Sequence, residues 1–177
     1  MTSFIPSFHT ARTMQTSDLD AVISLQSTCY APQFHEPKQA FAAKLNAAPA
    51  SAWVIDGPSD LLAYLVCLPI DGDELPALHA TEWHPPPHPQ WLYLHDLAIH
   101  PDARGAGLAG VLLSKAHELA FSQGWLAVGL IAVQDSVAFW RKQGFEPAEL
   151  PSPLIRAEKL ASFGKEATFM LRRIKVD

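Results

Sequence analysis

Residues 91–124, "WLYLHDLAIHPDARGAGLAGVLLSKAHELAFSQG", constrain the fold more than any other stretch of the chain. "WLYLHDLAIH" is dense in apolar and aromatic side chains and reads as a buried central strand. Glycines then break the extended run. Leu108, Leu112, Leu113, Ala116, Leu119 and Ala120 follow at helical spacing and form one apolar stripe, which ends at Gly124. "WLAVGLIAV" is a second buried strand.

The flanking segments are shorter. "FHTARTM" alternates and predicts a first strand, and Ser17 is placed to cap a helix carrying Leu19, Val22, Ile23 and Leu25. Tyr30-Ala31-Pro32 ends that helix, and "EPKQAFAAKLNA" opens a second with Glu36 and Pro37 in its first turn. "SAWVID" and "LLAYLVCLPI" flank the turn at Gly57-Pro58 and predict a hairpin. "DSVAFWRKQ" reads as a short helix stopped by Gly144, with "FEPAEL" and "EATFMLRRI" as final strands. A helical pair, a hairpin, strand-helix-strand-helix and closing strands together predict an α/β or α+β fold with a partly antiparallel sheet.

Bulk properties narrow the function classes. The chain has 177 residues, 49% of them hydrophobic, enough for one buried core over residues 1–177. Nine of the 15 prolines cluster at 68–90 and 147–154, which read as loops within one domain rather than linkers. A net charge of -5 without a basic run argues against nucleic acid and anionic membrane as partners. "LLAYLVCLPI" is too short to span a bilayer, and "MTSFIPSFHTARTM" lacks a signal peptide's apolar core. Cys29 and Cys67 read as two core thiols. A soluble cytoplasmic protein is expected. The histidines of "HATEWHPPPHP" match no zinc spacing, so no metal is expected.

Gly105-Ala106-Gly107-Leu108-Ala109-Gly110 satisfies G-x-G-x-x-G. A dinucleotide fold needs the glycines straight after a strand and an acidic residue ending the next strand. Here "HPDAR" intervenes and "WLAVGLIAV" carries no acid, so only the literal pattern supports a nicotinamide enzyme. The better parse is Arg104-x-x-Gly107-x-Ala109. Small residues let a diphosphate approach the main chain, the helix start aims N–H groups at it, and Arg104 adds a cation.

That turn, its preceding strand and following helix, and the later "FWRKQGF" resemble the GCN5-related N-acetyltransferase (GNAT) superfamily, in order and spacing. "ARTMQTSDLDAVISLQ" is similar to the superfamily's first strand and helix, so the resemblance covers nearly the whole chain. More narrowly, "YLHDLAIHPDARGAGLAG" and "CYAPQFHEP" resemble serotonin (arylalkylamine) N-acetyltransferases and related bacterial enzymes.

The resemblance implies a mixed, mostly antiparallel sheet with about four helices. Acetyl-CoA would lie between two parallel strands, 91–99 and 125–133, that splay apart. Its pantetheine arm would pair with Leu97, Ala98 and Ile99, and its diphosphate would rest on Arg104, Gly105, Ala106, Gly107, Leu108, Ala109 and Gly110. His95 would take the amine's proton, and Tyr93 would hold a water or the substrate. Strict alternation puts Tyr93, His95, Leu97 and Ile99 on one face and Asp96, the rival base, on the other; a bulge would re-aim Asp96. Trp140 stands where many members carry a tyrosine acid, and an indole cannot give up its proton. Tyr30 and Phe34 would wall the acceptor pocket, and Glu36 would attract its ammonium, although helix packing and capping explain these residues equally well. The implied activity is transfer of an acetyl group to a small primary amine, aromatic or polyamine, by direct attack in a ternary complex. The missing tyrosine keeps a non-catalytic acyl-CoA-binding module as the alternative. Dimers are common in such families, so a homodimer is compatible.

Overall fold

The computed structural model describes residues 9–71, 79–133, 135–149, 160, 163–164 and 166–175. Seven strands form one sheet: β1 (Arg12–Thr13), β2 (Ala52–Asp56), β3 (Leu61–Ile70), β4 (Trp91–Ile99), β5 (Ala127–Ala132), β6 (Glu146–Pro147) and β7 (Thr168–Arg173). Their spatial order is β1-β2-β3-β4-β5-β7-β6, and only β4 and β5 run parallel. Among the described residues, the helices α1 (Leu19–Cys29), α2 (Lys38–Ala47), α3 (Leu108–Ser122) and α4 (Val137–Lys142) flank it. The expected mixed, mostly antiparallel architecture is present.

The sheet is buried on both faces. On one, Leu19, Val22 and Leu25 of α1 and Phe41 and Leu45 of α2 pack on Val54, Tyr64, Val66 and Ala98. On the other, Leu108, Leu112, Leu113 and Ala116 of α3 pack on Leu65, Cys67, Leu92, Leu94 and Leu130. The α3 stripe read from the sequence is therefore its core face. β4 is covered on both sides, which explains why its apolar run does not alternate.

Two local expectations change. Ser17 does not cap α1. It lies in a 3-10 turn, Thr16–Asp18, where Asp18 Oδ2 accepts from the Gln15 N–H at 2.7 Å. Glu36 stands just before α2, whose N-cap is Pro37, and it turns its side chain inward. The strand expected across "FEPAEL" shortens to two residues, and residues 150–159 lie outside the described structure. Among the described residues, no helix is long and apolar enough to cross a membrane.

The sheet's β1 edge is tied by one guanidinium. Arg12 donates to both oxygens of Asp18 (2.8 Å each) and both of Asp56 (2.7 and 2.8 Å), linking β1, the entry to α1 and the end of β2. Paired bidentate contacts are the geometry in which a surface ion pair contributes most, but solvent screens this one. Arg12→Ala is expected to lower the unfolding free energy by about 1 kcal/mol. Urea denaturation at low and high salt checks this, and the loss shrinks at high salt.

Candidate active site

The parallel pair β4–β5 is hydrogen-bonded only at its start: Trp91 with Ala127, Leu92 with Val128 and Tyr93 with Gly129. Beyond Tyr93 the two strands part. The cause lies on the other edge of β4. Cys67 of β3 pairs with Leu94 and Val66 with Asp96, so His95 is an extra residue in β4. A bulge of this kind bends its strand and frees main chain from the ladder. The parting strands open a cleft of about 770 Å³.

The bulge resets the strand's alternation. Leu92 and Leu94 face α3, and after His95 it is Leu97 and Ile99 that pack on that core. Ala98 joins the α1–α2 core instead, and Tyr93 packs with Leu68, Ile70 and Phe169. Tyr93 and His95 do stay together, with ring centroids 6.3 Å apart. The expectation that Leu97 and Ile99 share their face is corrected, because the inserted residue shifts the period by one.

His95 is held by a buried ion cluster. Its Nε2 is hydrogen-bonded to Glu36 Oε1, and its side chain is 2% exposed. Glu36 Oε2 accepts from Lys44 Nζ at 2.7 Å and from the His79 main-chain N–H at 2.9 Å. The Glu36 main chain is braced by Gln26, whose Nε2 donates to Glu36 O (3.0 Å) and whose Oε1 accepts from Glu36 N (2.8 Å). Burial pushes the Glu36 carboxyl up, but the hydrogen bond and charge of His95, with those of Lys44, outweigh it and hold the group at about 2. Glu36 is thus a carboxylate that only accepts, which places a hydrogen on His95 Nε2 and makes Nδ1 the atom that holds the lone pair whenever the ring is neutral.

Asp96 sits beside this cluster under different conditions. Its Oδ2 accepts from Tyr64 Oη at 2.8 Å, and Tyr30 Oη nearby donates to the Leu97 carbonyl. Burial pushes the Asp96 carboxyl up to about 6, despite His95 and Tyr64 pulling it down. Cys29 Sγ donates to the Ile99 carbonyl at 3.3 Å, and burial raises its thiol. Burial also lifts the Tyr93 hydroxyl, with the charge of Glu36 adding to it, so Tyr93 keeps its proton at neutral pH.

At the other end of the cleft, Gly105 and Gly107 take φ of +80° and +79°, which favours glycine. Gly107 is the N-cap of α3 and offers no side-chain cap, and no acidic residue lies in the first turn. The first N–H groups of α3 therefore lack intrahelical acceptors. A Cβ built on Gly105, Gly107 or Gly110 would meet nothing within 4 Å, so an open cradle lies over them. Arg104 lines the same space. Trp140 of α4 lines the cleft too, held edge-on by Phe145 (centroids 5.5 Å) and Phe139 (5.0 Å).

Every site residue expected from the sequence lines this cleft except Ala106. Glu36, expected to face an ammonium, spends both oxygens on His95, Lys44 and the His79 amide. Gln26, Lys44 and Tyr64 escaped the sequence reading. The first two had a signal: each is a polar residue at a helical position where its stripe neighbours, Val22 and Leu25 or Ala40 and Phe41, are buried. Among the described residues no cluster suits a metal ion.

A sequence profile described as the acetyltransferase (GNAT) family matches residues 19–145. The chain belongs to that family. No curated protein matches it in sequence. Among GNAT structures, it is similar to the ribosomal-protein-S18-alanine N-acetyltransferase from Escherichia coli: 16% identity, 96% of each chain covered, TM-score 0.66. It is also similar to the loading GNATL domain of CurA from Lyngbya majuscula, at 13% identity, with 95% of this chain and 98% of that one covered and a TM-score of 0.73. A GNAT acetyltransferase from Brucella melitensis, solved in complex with acetyl-CoA, matches at 16% identity over 96% of this chain and 90% of that one, with a TM-score of 0.58. At such identities these likenesses establish the GNAT fold.

The two buried carboxyls titrate in opposite senses. Glu36, held below its unfolded value, contributes stability above about pH 4.5 that is lost as pH falls toward 2. Asp96, held above its unfolded value, contributes stability below about pH 4 that is lost as pH rises through 6. Asp96→Asn, which keeps an acceptor for Tyr64, is expected to remove that loss. Its unfolding free energy relative to wild type should rise by on the order of 2 kcal/mol between pH 4.5 and 7. Urea unfolding across this range checks it, and parallel wild-type and variant curves would refute it.

Proposed function

We propose that this chain is an acetyl-CoA-dependent N-acetyltransferase acting on a small primary amine. One observation carries the reading: the β4–β5 cleft has an uncapped helix start over open space at one end and the paired His95 imidazole in the bulge at the other. The diphosphate of acetyl-CoA suits the α3 N-terminus, where N–H groups and the helix dipole favour an anion and Arg104 adds charge. The stretch of β4 at Leu97, Ala98 and Ile99, paired with β3 but parted from β5, suits the amide-bearing pantetheine arm, which then runs toward His95.

In this reading, His95 Nδ1 takes the ammonium's proton while Nε2 stays donated to Glu36. The freed amine attacks the thioester carbonyl. Main-chain N–H groups released by the bulge stabilise the oxyanion, and the carbon–sulfur bond then breaks. The thiolate leaves without help from Trp140, whose indole keeps its proton, and as the amide forms the second proton of the attacking nitrogen passes to that thiolate or to solvent. Glu36 serves as the partner that orients His95, while Tyr30 and Phe34 wall the acceptor side with aromatic surface. Such walls favour an aromatic amine, in line with the resemblance of residues 93–110 to arylalkylamine acetyltransferases.

Asp96 supports a second reading. Its carboxyl, pushed up to about 6 in the same cleft, is an alternative base. The two are separable. His95→Ala is expected to lower kcat by about 10²–10⁴-fold with acetyl-CoA affinity unchanged, whereas Asp96→Asn keeps most of it. Thiol release across an amine panel at pH 6–9 checks this, and an unchanged His95→Ala profile hands the role to Asp96. Acetyl-CoA binding without turnover of any amine would leave a binding module.

The cradle has its own control. Gly107 and Gly124 share a left-handed φ (+79° and +70°) and open surroundings, but only Gly107 lines the cleft. Alanine strains both equally. Calorimetry should show acetyl-CoA binding weakened at least about tenfold in Gly107→Ala and unchanged in Gly124→Ala. Equal affinities would place the diphosphate elsewhere.

A further inference from the structure

Lys44 is a lysine on a core face. Its neighbours on α2, Ala40, Phe41 and Leu45, are buried, and its own side chain is 0% exposed. Nζ donates to Glu36 Oε2 at 2.7 Å and to the Ala80 carbonyl at 3.3 Å. A buried lysine is costly even when paired, and an apolar residue of similar length often stabilises a fold as well or better. Stability alone gives poor reason for a lysine there.

Charge within the cluster supplies a reason. Glu36 carries one negative charge, with one oxygen on Lys44 and the other on His95. With Lys44 present, the carboxylate is already compensated before any proton reaches His95. Without it, a buried uncompensated carboxylate beside an imidazole draws a proton onto the ring and keeps it. An imidazolium has no lone pair and cannot accept the ammonium's proton.

We propose that Lys44 is a positioning residue that, acting through Glu36, keeps His95 neutral and able to accept a proton. This rests on His95 as the base. The other groups around the ring sharpen the need. Asp96 and Tyr93 flank His95 on β4, and Tyr64 of β3 and Tyr30 at the end of α1 surround Asp96. His35 before α2 turns its Nε2 to the Tyr30 carbonyl, His79 contributes only its amide to Glu36, and Cys29 and Arg104 line the cleft beyond Asp96. Once ionised, Asp96 adds a second negative charge near His95. Among the described residues, Lys44 is the only lysine or arginine with a hydrogen bond into the Glu36–His95 pair.

The test compares wild type with Lys44→Met, Lys44→Arg, Glu36→Gln and Lys44→Met/Glu36→Gln. Two readouts are taken: the His95 ring followed by NMR against pH without substrates, and the acidic limb of kcat/KM. Lys44→Met is expected to move the ring's titration up by about one pH unit or more, cutting kcat/KM on the acidic side about tenfold. Glu36→Gln moves it down, the double variant returns it toward wild type, and Lys44→Arg stays close to wild type. A merely structural role predicts none of these signs. A His95 titration that stays put in folded Lys44→Met overturns the proposal. Should that variant not fold, a Glu36→Gln titration that fails to move down overturns it instead. A ring that shifts while the rate profile does not supports Lys44 as the residue that sets His95's charge and removes His95 as the base.

Discussion

One inserted residue organises the site. Because His95 has no partner on β3, β4 bends and shifts its alternation, and β5 parts from it after three rungs. The cleft, its exposed main chain and the direction of the His95 ring follow from that bulge. A regular strand here would close the gap and send Leu97 and Ile99 to the opposite face. The same insertion turns Asp96 toward Tyr64 and the α1–α2 side, so two titratable groups stand in adjacent positions under different conditions.

The α1–α2 layer completes the site from the other side. Gln26, buried on α1, grips the main chain of Glu36 with two hydrogen bonds. That brace sets where α2 begins and aims the Glu36 carboxylate between Lys44 and His95. Three ionisable side chains removed from water are tolerated because each charge meets a counter-charge and a hydrogen bond. Glu36 stays ionised well below neutral pH while Asp96, one residue from His95, is pushed toward it. The difference is one of partners: Glu36 has a lysine and an imidazole, Asp96 mainly tyrosine hydroxyls.

Much of this was legible in the chain. The order of strands and helices, the hairpin, the α3 stripe and the glycine break before it come from spacing and residue type, which act locally. The residues singled out by the resemblance to GNAT sequences, apart from Ala106, line one cleft. Glu36 was misjudged for a physical reason. A glutamate before a proline reads as a helix opener, and only the approach of α2 to β4 reveals that its carboxylate is enclosed. Ser17 was misjudged because a 3-10 turn, closed by Asp18 and Gln15, took the capping position.

By itself, then, the sequence determined the elements, their order and the glycine turn at the start of α3, since hydrophobic period, glycine conformation and helix ends are properties of a few neighbouring residues. The tertiary structure alone decided the bulge at His95, the parting of β4 from β5 and the enclosure of Glu36 with Lys44. Each depends on groups far apart in the chain meeting across the sheet. A register shift or a buried charge pair exists only once both partners are in place.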